Sequence, residues 1–243
     1  MVRNQELERQ RIAIEVELGQ ANLRGDVIAT LAHDIKTPVL GTLASLSLLE
    51  GSVAVEAIRS SQQRCLRLID DLLQVFRAEQ EGLQIDLQPC DLLAVAQEAL
   101  RTVEPIAAQR QITLVLRQER CRGMKMLADP SLLQRLIENL LLNAVHHNLR
   151  GQRVWLQLSR QEGEWWIDVR DGGEGFPPEQ LPRLFQRFAQ SGTGTPGAGL
   201  GLYLCRLITE AHEGIITASN TPGGGARVLV QLPQREPSRC TSY

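Results

Sequence analysis

His33 and Asp34 stand side by side in LAHDIKTPVLGTL, residues 31–43. A neutral imidazole nitrogen is a nucleophile. An adjacent carboxylate can hold the other ring proton and steady the positive charge that grows as the ring attacks. The apolar residues Leu31, Ile35, Val39 and Leu43 recur every four positions, which predicts a helix under the pair. Pro38 lies inside that helix. It removes a backbone donor and presses on the carbonyl four residues back, which belongs to Asp34. A bend is therefore expected just below His33.

Four further clusters follow in the second half of the chain. ENLLLNA, 138–144, puts Asn139 and Asn143 four residues apart, hence on one face of a helix. DGGEGF, 171–176, offers one carboxylate, Asp171, followed by glycines that let the backbone turn sharply. LFQRF, 184–188, sets Phe185 and Phe188 around Arg187 inside a long loop. GAGLGL, 197–202, leads into a helix. Glycines before a helix N-terminus let backbone amides approach a phosphate, where the helix dipole also favours an anion.

The elements that must carry these residues fall into two groups, divided near Gly82. Residues 1–25 are polar, with a weak apolar stripe at Ile14, Leu18, Ala21 and Ile28, and read as a helical or coiled-coil lead-in. The His33 helix is expected to run to about Leu49. Gly51-Ser52 breaks it, and Ser52 can cap the next helix. That second helix carries Ile58, Cys65, Leu66, Ile69, Leu72, Leu73 and Phe76 at helical spacing. Residues 26–80 thus form an antiparallel helical hairpin. A lone hairpin cannot bury both apolar stripes, whereas a dimer can, as a four-helix bundle.

Residues 83–233 mix strands and helices. Leu83–Leu87 alternates; Asp91 caps a helix to about Ala108; Ile112–Leu116 reads as a strand. Asp129-Pro130 is a helix start, with Asp as cap and Pro at the first position, for a helix to about His147. Val154, Leu156 and Leu158 alternate, as do Trp165, Ile167 and Val169, with Glu162-Gly163 turning between them. Residues 172–198 are dense in Gly and Pro and form a loop, long enough to be functional. A helix over Leu200–His212 and strands near 215–219 and 226–232 complete an α+β layer, a mixed sheet with helices on one face. Residues 234–243 read as a tail.

The bulk composition narrows the function classes. The chain has 243 residues, is 43% hydrophobic and 22% charged, and has a net charge of -2. That balance gives no global drive toward nucleic acid or an anionic membrane. No apolar run reaches the roughly 18 residues of a membrane span. The five cysteines are scattered without a CxxC pair, so a reducing cytoplasm is expected and a disulfide framework or zinc site is not.

The clusters, in this order and spacing, resemble the boxes of the two-component sensor histidine kinases. ENLLLNA, DGGEGF, LFQRF and GAGLGL are similar to the N, G1, F and G2 boxes of their GHKL-type (Bergerat) ATP-binding catalytic domain. LAHDIKTP is similar to the H box of their dimerisation and histidine-phosphotransfer domain. The resemblance spans about residues 26–233. It implies ATP and Mg²⁺ as cofactors and His33 as phosphoacceptor, with Asp34 assisting. It implies that Asn143, with Asn139 beside it, holds Mg²⁺ among the ATP phosphates. Asp171 would accept from the adenine amino group, with Gly173 and Gly175 keeping the pocket wall close. Gly197, Gly199 and Gly201 would end a lid against the phosphates, Phe185 and Phe188 would anchor it, and Arg187 is a candidate to reach the γ-phosphate. Magnesium is a hard cation that takes oxygen ligands, so an amide oxygen suits it.

Departures from the family pattern accompany the match. His146 and His147 stand where a basic residue and then an aromatic are common. The lid from Ala189 to Leu202 has no Lys or Arg. TPGGGA, 221–226, fits a glycine-rich end of the fold and equally well a hairpin turn. The partners implied are a second copy of the chain, the receiver domain of a response regulator and an unidentified sensor input. Thr37, one turn beyond His33, would orient a water toward a regulator's phospho-aspartate. Location is expected in the cytoplasm, at a membrane only if the chain is a fragment of a longer sensor. Two other readings compete. A GHKL ATPase would need a glutamate where Asn139 stands, and a non-catalytic ATP-binding dimeric scaffold would have no use for His33.

Overall fold

The structure is a computed structural model and describes residues 35–36, 39–40, 42–43, 53–119, 125–187, 189 and 199–234. His33, Asp34, Thr37, Pro38, Ser52, Phe188 and Gly197 lie outside the described residues. The chain separates into two units, Met1–Gly82 and Leu83–Tyr243.

In the first unit, residues 35, 36, 39, 40, 42 and 43 are helical, as their four-residue apolar spacing requires. Helix α1 (Val53–Glu81) is 29 residues long. It ends where Gly82 takes φ +75, the left-handed conformation that glycine adopts without penalty just past a helix. Lys36 forms an ion pair with Asp70 of α1, so the two helical stretches lie side by side. Val75 is fully buried. Leu66, Ile69, Leu72, Leu73 and Phe76 are half-buried along the predicted stripe. Four large apolar residues stay in water: Ile35 is 52% exposed, Leu40 53%, Ile58 45% and Leu68 38%.

The second unit contains β1 (Gln88–Cys90), α2 (Leu92–Gln109), β2 (Thr113–Glu119), β3 (Met126–Ala128), α3 (Pro130–His147), β4 (Arg153–Gln161) and β5 (Glu164–Arg170). A 3-10 turn (Leu181–Arg183), α4 (Gly201–Ala211), β6 (Ile215–Asn220) and β7 (Ala226–Pro233) complete it. One sheet has the order β2-β4-β5-β7-β6. β2 and β4 are parallel and the other pairs antiparallel. β1 and β3 form a separate antiparallel pair.

Period-two alternation sorts the sheet into two faces. Leu158, Ile167 and Val230 are cross-strand neighbours, as are Leu156, Val169 and Val228, and all are buried. This face receives the helices: α2 packs on β2, α3 on β4 and β5, α4 on β6 and β7, and α3 touches both other helices. Each such buried aliphatic side chain contributes roughly 1.5–3 kcal/mol of transfer free energy. The opposite face carries Trp155, Gln157, Asp168 and Arg170. There Asp168 is held between Arg170 (2.6 Å) and Arg227 (2.8 Å).

Two local expectations shift. Leu83–Asp86 alternates between half-buried and exposed, but Leu87 is exposed and no strand forms; regular pairing starts at Gln88. The backbone N–H of Asp86 goes instead to the Asp129 carboxylate, at 3.1 Å. β3 has no sequence expectation behind it: three residues are too few to show a period.

Candidate functional site

Helix α3 is the platform. The Asp129 carboxylate caps it, accepting from the N–H groups of Ser131 (3.0 Å) and Leu132 (3.1 Å) and from the Ser131 hydroxyl (2.6 Å). Pro130 occupies the first helical position, where no intrahelical donor is lost. Burial alone pushes the Asp129 carboxyl up. The hydrogen bonds from Ser131, Asp86 and Leu132 outweigh it and hold the carboxyl below its ordinary value. Leu133, Leu136, Ile137, Leu140, Leu141, Ala144 and Val145 fill the core. That leaves Asn139, Asn143 and His147, spaced by four, as one row, the two asparagines half-buried and His147 exposed.

The row meets two other segments. At Asn139 it meets the start of α4: a Cβ added to Gly201 would lie 3.7 Å from Asn139 Oδ1. Among the described residues, Asn139 Nδ2 is buried with no hydrogen-bond partner. Gly199 sits at φ +68, and α4 begins with no side-chain cap on its first amides, unlike α3 and α2, which Asp129 and Asp91 cap. Uncapped amides at a helix N-terminus, beside an unpaired buried amide, suit an anion.

At His147 the row meets the segment after β5. A Cβ on Gly173 would come within 2.6 Å of the His147 carbonyl oxygen, so only glycine fits there. Asp171 is buried, and its Oδ1 accepts from Gly173 N (2.9 Å) and Ala226 N (3.0 Å). Among the described residues no donor occupies Oδ2, which leaves an acceptor for an exocyclic amine. Burial depresses the His147 pKa, the Asp171 charge opposes that, and the Arg110 guanidinium adds to the depression.

The structure thus brings Asn139 to Gly201, and Asp171 and Gly173 to His147, with Asn143 between the two groups on the row. Gly175 lies at φ +81 against Asn220. Among the described residues of LFQRF, Leu184 is buried, 4% exposed, Phe185 is half-buried and Arg187 is exposed. Sequence reasoning gave no role to Leu184, Asn220 or the Ala226 amide. The only available signal was the glycine run after Asn220.

The residues present fit a magnesium nucleotide. Asn139 has an unpaired buried N–H₂, Gly201 leaves space beside it, and Asn143 offers an amide oxygen of the kind a hard cation takes. Among the described residues no group of three His, Cys, Asp or Glu side chains is placed to hold a metal ion by itself.

Comparisons with known proteins agree with this geometry. Residues 23–81 match the His Kinase A (phospho-acceptor) domain, and residues 128–236 match the histidine kinase-, DNA gyrase B-, and HSP90-like ATPase family. The alginate biosynthesis sensor protein KinB of Pseudomonas aeruginosa is 34% identical over 222 residues, covering 87% of this chain and 37% of that protein. The sensor protein SphS of Synechococcus elongatus is 37% identical over 245 residues, covering 90% of this chain and 56% of that protein. The chain therefore spans about half the length, or less, of these curated relatives. Among solved structures, full-length ShkA in complex with AMPPNP superposes with a TM-score of 0.71 at 26% identity, covering 87% of this chain and 46% of that one. The mycobacterial sensor histidine kinase MprB superposes with a TM-score of 0.55 at 25% identity, covering 63% of this chain and 100% of that one. With both domains matched in order and the helix-on-sheet fold in place, the chain belongs to the two-component sensor histidine kinases, of which it carries the phospho-acceptor and ATPase parts.

Proposed function

We propose that the chain autophosphorylates His33 with ATP and passes the phosphoryl group to an aspartate of a response-regulator receiver domain. The observation that carries the nucleotide half is the row Asn139–Asn143–His147, set between the uncapped start of α4 and the Asp171 carboxylate. Asp171 Oδ2 takes the adenine amino group, and Gly173 keeps the backbone close to the base. Asn143, with Asn139 beside it, holds Mg²⁺, which neutralises charge among the phosphates when bound. The amides after Gly199 receive the phosphate end. A neutral His33 nitrogen attacks the γ-phosphorus. The N–P bond forms as the bond to the ADP oxygen breaks, and Asp34 holds the other ring proton. Thr37 serves a second, phosphatase activity by orienting water toward a regulator's phospho-aspartate.

The working form is a homodimer. Ile35, Leu40, Ile58 and Leu68 lie in water in the single chain, and a second hairpin gives such stripes a partner. Among the described residues no helix is long and apolar enough to cross a membrane. We place these two units in the cytoplasm, where ATP and a receiver domain are available. A purely hydrolytic reading is weaker, because an amide at position 139 cannot take a proton from water.

Incubation with labelled Mg-ATP tests the proposal. One acid-labile, base-stable phosphate per chain is expected. His33→Gln abolishes it while keeping ATP binding, and Asn143→Ala abolishes Mg-ATP binding itself. Label that persists in His33→Gln overturns the assignment.

A further inference from the structure

The hairpin between β6 and β7 does more than close the sheet. Asn220 and Ala226 face each other across it as register partners. Each also reaches out to the same neighbouring segment, residues 171–176. Ala226 exchanges two bonds with Asp171: its N–H donates to Asp171 Oδ1, and its carbonyl accepts from Asp171 N, both at 3.0 Å. Asn220 does the equivalent with a side chain. Its Oδ1 accepts from Phe176 N at 2.7 Å, and its Nδ2 donates to Phe176 O at 2.8 Å. One amide therefore takes both backbone groups of Phe176, a residue only 7% exposed.

The fit is tight between these two grips. A Cβ on Gly175 would stand 2.7 Å from Asn220 Oδ1, and one on Gly225 would stand 2.2 Å from the Asp171 carbonyl oxygen. Thr221 N and Gly225 O close the turn at 2.9 Å. The segment held in this way carries the Asp171 carboxylate and the Gly173 amide that bonds it.

We infer that Asn220 is a positioning residue for nucleotide recognition: paired with Ala226, it fixes the two ends of residues 171–176 and so aims Asp171 at the base. The inference rests on the nucleotide site proposed above. An amide suits this task because it donates and accepts at once. A carboxylate of the same size accepts from Phe176 N but sets a negative charge against Phe176 O. A hydroxyl or methyl is too short to meet both groups.

The test compares Asn220→Asp and Asn220→Ala with the wild-type chain. Kd for Mg-ATP and Mg-GTP, the autophosphorylation rate at saturating ATP, and the thermal midpoint are all measured. The expected result is a rise of about fivefold or more in the Kd for ATP and a reduced preference for ATP over GTP. The rate at saturating ATP should stay within about twofold, because Asn220 does not face the phosphates. If either variant fails to fold, Asn220→Ser supplies the same readouts. A lower thermal midpoint with ATP affinity and base preference unchanged makes Asn220 a scaffold residue only and overturns the inference. Failure of the wild-type chain to bind Mg-ATP is a different result: it removes the nucleotide reading before Asn220 is at issue.

Discussion

Helices α3 and α4 lie side by side on the same sheet, yet they begin in opposite ways. The start of α3 is closed. Asp129 caps two of its amides, accepts from Asp86 of the incoming segment, and donates its own backbone N–H to His212 Nε2 at 3.1 Å. His212 is buried at the far end of α4 and bonds the Ile208 carbonyl through Nδ1, at 2.8 Å. Three segments are tied there through the Asp129 carboxylate and backbone N–H. The start of α4 is open, with glycines, no side-chain cap, and the unpaired Asn139 amide beside it. A helix start spent on stability is capped by its own chain, and one held for a ligand is left for that ligand to cap.

The largest effect is expected at the closed start. Asp129→Ala removes the cap, worth about 0.5–2 kcal/mol. It also removes the acceptor of the Asp86 N–H, a smaller loss because Asp86 is exposed and water can replace the bond. Calorimetry should show the ATPase unit's midpoint falling by roughly 1–8 °C. The folded fraction should bind Mg-ATP almost as before. A drop in affinity of tenfold or more in that fraction would mean the two helix starts do not divide the work.

The open start should show the reverse sign. Gly201→Asp adds a carboxylate at the first position of α4, where the dipole favours it by about 0.3–1 kcal/mol, and there is ordinary van der Waals room for its Cβ. Stability should hold or rise slightly. Mg-ATP affinity should fall about tenfold or more, because the new charge occupies the place of the phosphates. Unchanged affinity by titration calorimetry would show that phosphate binds elsewhere.

Much of this contrast was legible in the sequence, and some was not. Asp129-Pro130 announces a capped helix because the cap and the helical period are local. The glycines at 199 and 201 announce an open start for the same reason. Asp129's bond to Asp86 and Asn220's grip on Phe176 span 43 and 44 residues, and no local pattern encodes such a pairing. Leu184 is buried beside half-buried Phe185, and no local pattern singles it out, while Phe188 lies outside the described residues. Leu184 directly follows the 3-10 turn Leu181–Arg183, and a single turn has too few residues to show a period.

Acid should dissolve the closed start selectively. Asp129 titrates below its ordinary value in the fold. Its contribution is therefore fully present above the unfolded carboxyl pKa, near about 4, and is lost as pH falls through the folded value. Asp168, buried yet held low by hydrogen bonds and charge from Arg170 and Arg227, behaves in the same direction. Melts of wild type and Asp129→Asn should differ most near pH 7 and converge as pH falls below about 4. A gap that stays constant over that range would mean the Asp129 charge is not what stabilises the joint.

The smallest effect, and the most local, concerns two cysteines. Cys90, in β1, lies by the closed start. Burial, then the charges of Asp91 and Asp129, push its thiol up to about 11. Cys205, in α4, is fully buried, with its Sγ 3.6 Å from the Leu136 carbonyl oxygen. Among the described cysteines, exposed Cys65 should react with iodoacetamide before Cys90 and Cys205, which must wait for local opening. If α4 is the helix left for a ligand to complete, Mg-ATP should slow labelling of Cys205 several-fold, since a ligand that binds only the closed form suppresses opening by the factor 1 + [L]/Kd. Cys90 should be slowed less, because its surroundings are already closed without ligand. Peptide mass analysis of timed samples gives both rates in one experiment. Equal protection of the two thiols would mean that the unit opens as a whole, and the contrast between the helix starts would then be one of chemistry without a difference in local stability.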